Sequence, residues 1–273
     1  MAATDGPPVI KLGLDDAMAG LVLSTEAHWN QTEEDWRIFL RDGVVFGIRT
    51  GVLLVATAAL LPYSDNNAWI SMVLVTASHR RRGLATRLVD ACLETARKNG
   101  LTSWLDATPD GVAVYGPLGF TPTLQLRRLK LVNPTRTEAP PTSSASIDAL
   151  RARDRRATGL DRTALLSAFA QRSGSRIVSA NGAIALVRDG RTARHIGPLF
   201  ADNAAAALAL VHAIVRSETG PLLIDAVAPQ AAFLEGLTAS GWTIERPFQR
   251  MRFGPATAMA EEMPFAVAGP EFG

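Results

Sequence analysis

The chain alternates between runs whose apolar residues recur at every second position and runs where they recur every three or four. "PPVIKLGL" reads as an opening strand, and "DDAMAGLVLSTEAHW" then spaces its apolar residues as a helix does. "TEEDWRIFLRDG" is a second helix punctuated at both ends. Thr32 can accept from its first-turn amides, Asp35 sits three residues on as the capping-box partner, and Gly43 closes it. Three β-rich runs follow, "VVFGIRT", "VLLVATAALLPY" and "AWISMVLVTA", the last two joined through "SDNNA" as a hairpin. Leu84, Leu88, Cys92 and Ala96 recur at spacing four, so "LATRLVDACLETARKNG" is an amphipathic helix closed by Gly100. "TSWLDAT" is a strand, "GVAVYGPLGF" a short helix ending in glycine, and "TLQLRRLKLV" a closing strand.

The pattern then stops. "NPTRTEAPPTSSAS" is rich in Pro, Ser and Thr and reads as an exposed linker over 133–147. Beyond it the same order returns. Two helices, "IDALRARDRRA" and "DRTALLSAFAQR", precede strands "RIVSA", "AIALVRD" and "ARHIGPLFA". "DNAAAALALVHAIVRSETG" is a helix capped by Asp202 or Asn203, "PLLIDAV" a strand, "APQAAFLEGLTASGW" a helix and "RPFQRMRF" a last strand. "TSWLDATPDGVAVYGPLGF" lines up with "PLLIDAVAPQAAFLEGLTASGW", each running strand, Asp, turn, helix, Gly, aromatic. This is an internal repeat at domain scale. The expected organisation is a first domain over 1–132, the linker, a second over 148–253 and a tail over 254–273. The arginine-dense stretch "LRARDRRATGLDR" reads as a solvated helix face. The tail is apolar at Phe265, Val267 and Phe272. It is expected to fold back onto the protein, either into a cleft that would bring Glu271 near a substrate or onto an outer face.

Composition narrows the classes. A chain of 273 residues, 47% hydrophobic, fits one large globular domain or two ordinary ones. A net charge of +2 is too small for a general nucleic-acid binder. One cysteine allows no disulfide within the chain, and Cys92 on an apolar stripe reads as a buried structural thiol. No basic segment precedes an apolar run at the start, and the longest apolar stretches are too short to span a bilayer. A cytoplasmic protein acting on neither nucleic acid nor membrane is expected. His79, His195 and His212 have no metal-ligand spacing, so no metal is expected.

The two copies differ between strand and long helix. The first has "TASHRRRG"; the second has only "ADN". Three adjacent arginines repel one another unless they face an anion. A helix start leaves amide N–H groups unpaired and carries partial positive charge, and Gly83 lets the backbone approach a ligand with no Cβ in the way. Such a nest suits a pyrophosphate, although a solvated helix start with a coincidental arginine run has the same letters.

"VLVTASHRRRGLATRLV" resembles the acyl-CoA loop of the GNAT acetyltransferase superfamily, with Arg80, Gly83 and Ala85 at its three signature positions. "GVAVYGPLGF" resembles that family's later motif, a helix bearing Tyr and ending in Gly-Phe. Ala77 stands where proline is common and Thr108 where many members have asparagine. Residues 148–253 resemble a second such unit without the loop, as in tandem members. The resemblance implies an α+β fold of two GNAT-like domains, each a mixed, mostly antiparallel central sheet flanked by helices. It also implies an acetyl-CoA-dependent N-acetyltransferase in which a primary amine, on a small molecule or a peptide, attacks the thioester directly in a ternary complex. Val73, Leu74 and Val75 would hold the pantetheine arm, and Arg80, Arg81, Arg82, Gly83, Leu84, Ala85 and Thr86 the pyrophosphate, with Thr108 beside the cofactor. Tyr115 is the candidate general acid for the departing thiolate, its alternative being a packed core tyrosine. Trp29, Asn30 and Gln31 are candidates for the acceptor pocket, or else Trp29 packs with Trp36 and the amides are loop residues. For the base, Glu26, Glu33, His28 and a water chain stand open. The rival function is a non-catalytic acyl-CoA sensor or interaction module on the same scaffold.

Overall fold

The computed structural model describes residues 6–138, 145–255 and 261–273; parts of the expected linker (139–144) and tail (256–260) lie outside the described residues. The chain forms two compact units, Met1–Trp104 and Leu105–Gly273.

In the first unit the order is β1 (Val9–Lys11), α1 (Ala17–Glu26), α2 (Glu33–Asp42), β2 (Val44–Thr50), β3 (Leu53–Tyr63), β4 (Asn67–Val75), α3 (Leu84–Lys98) and the start of β5 (Thr102–Ala107). Strands β1 to β4 pair in sequence, antiparallel, and β5 joins β4 in parallel after the α3 crossover. The expected capping box of α2 is present: the Asp35 amide donates to Thr32 Oγ1 and the Thr32 amide to Asp35 Oδ2. Trp36, Phe39, Ile48, Leu60, Ile70, Leu88 and Cys92 are buried. Burial pushes the Cys92 thiol well above its ordinary range, as an inert structural cysteine requires. Trp36 is fully buried, its indole N–H donating to Ser24 Oγ at 3.1 Å, so it is a packing residue.

The second unit holds the end of β5, α4 (Pro109–Tyr115), β6 (Thr121–Leu131), α5 (Ile147–Thr158), α6 (Thr163–Ala170), β7 (Arg176–Ala180), β8 (Ala183–Arg188), β9 (Arg194–Ala201), α7 (Ala204–Val215), β10 (Leu222–Val227), α8 (Ala231–Ala239) and β11 (Thr243–Phe253). Here β7, β8 and β9 are antiparallel neighbours, β10 runs parallel to β9, and β6 is inserted between β10 and β11, antiparallel to both. The sequence copies and the compact units therefore have different boundaries, because the strand that closes the first copy makes its hydrogen bonds to β10 and β11.

The β9–β10 pairing covers only Arg194–Leu222 and His195–Leu223. Past that point the tail enters. Phe265 N–H donates to Leu199 O at 2.9 Å, Leu199 N–H to Ala266 O at 3.0 Å, Val227 N–H to Phe265 O at 3.1 Å and Val267 N–H to Asp225 O at 3.0 Å. Phe265, Val267 and Phe272 are buried as the apolar pattern anticipates, and Glu271 is buried with its carboxylate 3.8 Å from Arg188. The solvated face expected for "LRARDRRATGLDR" holds at Arg155 and Arg156, which are exposed, and needs correction at Asp154 and Arg162, which are buried and joined by two hydrogen bonds. A charged residue is buried where a partner compensates its desolvation, and a one-dimensional count of arginines does not reveal the partner.

Candidate active site

Strand β4 is irregular in its second half. Its register against β3 slips so that Met72 and Val73 lie opposite the single residue Ala58. This bulge puts the buried Met72 in the left-handed region, at φ 51°, a conformation that costs a non-glycine residue roughly 1–3 kcal/mol. Thr57 offsets part of that cost, its hydroxyl donating to Met72 O at 2.8 Å. The β4–β5 pairing ends at Trp69–Trp104. Val73, Leu74 and Val75 thus lie beyond the last parallel pair.

A short 3-10 turn, Ala77–His79, leads from β4 towards α3. Arg81 (φ 60°) and Gly83 (φ 72°) are both left-handed, and Arg80, Arg81, Arg82 and Gly83 are exposed. Among the described residues nothing lies within 4 Å of where a Gly83 Cβ would stand, and no side chain caps the α3 N-terminus. A helix start with no side-chain cap among the described residues, following three exposed arginines, suits a phosphate ester. Two of the arginines brace the loop itself: Arg80 Nε donates to Val75 O at 3.2 Å and Arg82 to Ser78 O at 2.9 Å.

Glu26, at the end of α1, belongs to this loop. It accepts from the Ala77 amide and from the Thr76 hydroxyl, both at 2.7 Å. Those two bonds, with help from nearby Arg80, hold its carboxyl below the usual carboxylate range. Glu26 thus braces the loop from the end of α1. Glu33 is paired with Arg37. Trp29 is half-buried, and Asn30 and Gln31 are buried, with Gln31 Oε1 making no hydrogen bond among the described residues. These three follow His28, itself left-handed at φ 58°.

In the second unit, Thr108 caps α4, its hydroxyl accepting from the Gly111 amide at 3.3 Å. Tyr115 is the last residue of α4, half-buried, with its ring 5.9 Å from Phe120. Gly111 makes room for it: a Cβ there would stand 2.9 Å from the tyrosine ring. Where the second copy has "DN", α7 is closed by its own side chain, Asn203 Oδ1 accepting from the Ala206 amide at 2.9 Å. The two long helices therefore begin differently, α3 after a glycine with no side-chain cap among the described residues and α7 with an internal cap.

Sequence reasoning did not find the paired arginines on β6 and β11. Arg128 donates through Nε and Nη2 to the two oxygens of Asp225, both at 2.8 Å, and Arg250 does the same to Asp106, again at 2.8 Å. The aspartates are the ones the repeat aligns. Asp225 also accepts from His195 Nε2 at 2.9 Å. Burial alone would raise Asp225, but the Arg128 charge and the bonds from His195 and Arg128 outweigh it and hold the carboxyl below its usual range. Asp106, lacking the histidine, is pushed up by burial despite Arg250.

Comparison with known proteins agrees with this architecture. Residues 16–120 match the Acetyltransferase (GNAT) family and residues 150–266 match an Acetyltransferase (GNAT) domain. The chain is 24% identical over 246 residues to the "Uncharacterized N-acetyltransferase YitH" of Bacillus subtilis, covering 86% of this chain and 87% of that one. It is 28% identical over 200 residues to the "Holothin acyltransferase" of a Pseudoalteromonas species, covering 69% and 67%. A crystal structure from Pyrococcus horikoshii superimposes with a TM-score of 0.82 at 21% identity, over 99% of this chain and 97% of that chain. With a matched domain in each half, joined in the order the repeat implied, the chain belongs to the GNAT acetyltransferase family as a tandem member.

Proposed function

We propose that this acyltransferase is an acetyl-CoA-dependent N-acetyltransferase working by direct attack in a ternary complex, with one cofactor site per chain. The observation that carries the reading is the uncapped, glycine-led start of α3 beside Arg80, Arg81 and Arg82, set against the capped start of α7. Acetyl-CoA would supply the activated acyl group. The amides of Gly83, Leu84, Ala85 and Thr86 would hold its pyrophosphate, and the β4 backbone at Val73, Leu74 and Val75 its arm, with Thr108 nearby. The Tyr115 hydroxyl would give its proton to the departing sulfur; a tyrosine of reference pKa about 10 can donate to a thiolate whose acid is near 8.5. Trp29, Asn30 and Gln31 would face the amine.

The second copy is closed to a cofactor twice over in this reading. Its helix start is satisfied internally, and residues 265–267 make backbone bonds in the gap between β9 and β10. Calorimetric titration with acetyl-CoA tests this. One site per chain, together with CoA release in the presence of an amine panel, is expected. Two sites would refute the single-site assignment, and binding without release for any amine would make the protein a sensor instead.

A further inference from the structure

The second unit contains a cavity of about 280 Å³ that the cofactor reading does not use. Its walls are mostly apolar: Leu124 of β6, Pro198 and Phe200 of β9, and Met263, Pro264 and Val267 of the tail. The tail makes the cavity, because its bonds to Leu199 and Val227 hold residues 263–267 against β9.

Charged groups also line it, and nearly all are committed. Arg162 is bonded to both oxygens of Asp154, at 3.0 and 2.5 Å, and to the carbonyls of Phe272 and Gly273. Arg250 is held by Asp106. Glu262 receives Arg153 at 2.6 Å and Arg156 at 3.3 Å. Glu261 differs. Its amide donates to Arg156 O at 3.0 Å, which fixes the backbone, but its carboxylate makes no ion pair or hydrogen bond among the described residues. The cavity thus offers an apolar lining and, among the described residues, one exposed carboxylate without an ion pair. An anionic ligand would have to break a buried ion pair to find a cation; an ammonium group meets a carboxylate ready for it.

We propose that this cavity binds a small, mainly apolar primary amine, with its ring or alkyl body against Phe200, Pro198 and Val267 and its ammonium at Glu261. Its volume is near the lower end of ligand pockets, roughly 300–1,000 Å³, which suits a one- or two-ring body and not a peptide. The site is a ligand subsite of the second unit and does not depend on the acetyltransferase reading above.

The test uses the full chain with 2-phenylethylamine as probe and 3-phenylpropionate as its acidic counterpart. Ligand-observed NMR and calorimetry should show saturable amine binding in the millimolar range or tighter, weakened about tenfold in Glu261→Gln and in Met263→Lys. Both side chains are exposed, so thermal unfolding should match the parent. No saturable binding of the amine, equal or tighter binding of the acid, or unchanged affinity in both variants would overturn the site. Turnover is read separately: consumption of acetyl-CoA bears on the acetyltransferase reading, whereas the binding result in the parent and the two variants alone decides this site.

Discussion

Arg250 clamps Asp106 with two hydrogen bonds of 2.8 Å, and the Asp106 side chain has no exposure to solvent. One residue comes from the last strand of the second copy, the other from the fifth strand of the first. Removing the cation alone strands a buried carboxylate. Arg250→Met is expected to lower unfolding free energy by about 3–5 kcal/mol, while the double change Arg250→Met, Asp106→Leu recovers most of it. Urea denaturation of the single and double variants measures this. Equal loss in both would mean that the pair is replaceable only by itself.

Gly83→Val is expected to abolish acetyl-CoA binding with circular dichroism unchanged. The position is exposed and has free space for a side chain, so the fold tolerates the change. Valine nonetheless resists φ 72°, and its bulk stands where a phosphate would approach the amides. Calorimetry reads the outcome directly, and parental affinity would remove the loop from the cofactor site.

Tyr115→Phe keeps the ring that packs beside Phe120 and removes only the hydroxyl. A group acting in the transition state shows itself in kcat, so a ten- to thousandfold fall is expected with acetyl-CoA affinity nearly unchanged. Steady-state kinetics with any accepted amine decides it. Parental kcat would assign the proton to another donor.

The buried His195 sets a pH dependence. Burial holds its imidazole below the ordinary value, against the opposing hydrogen bond to Asp225. In the unfolded chain it takes up a proton near pH 6.5, and in the folded chain only at lower pH. The unfolded state thus binds more protons, and stability falls as pH drops below about 6.5. Asp225, also depressed, adds a second loss below about pH 4. Tm is expected to fall between pH 7 and 5, and His195→Gln to flatten that interval. A parental Tm constant across it would show that the folded protein accepts the proton.

Much of this was legible in the letters, for physical reasons. Periodicity and turn residues announce elements, so the order of strands and helices and the Thr32 cap were readable. The α3 loop was readable because glycine and clustered charge are conspicuous. The Met72 bulge was not: a methionine inside an apolar run has the same pattern whether its φ is negative or positive, and only Thr57 across the sheet reveals the difference. The arginines of β6 and β11 look like solvent-facing residues of edge strands until the aspartates opposite them are known. The bracing contacts of Glu26 were not legible, since nothing local indicates that it reaches Thr76 and Ala77, fifty residues on.

The position of β6 between β10 and β11 has a consequence for biosynthesis. A ribosome delivers β6 before either of its neighbours exists, and at roughly 5–20 residues per second the wait for β10 is on the order of ten seconds. Throughout it, Leu126, Leu129 and the Arg128 guanidinium, all buried in the finished molecule, have no native surroundings. Folding of the second unit is therefore not vectorial. It waits on contacts of long sequence separation, and the nascent chain is most open to aggregation, and to chaperone capture, in that interval.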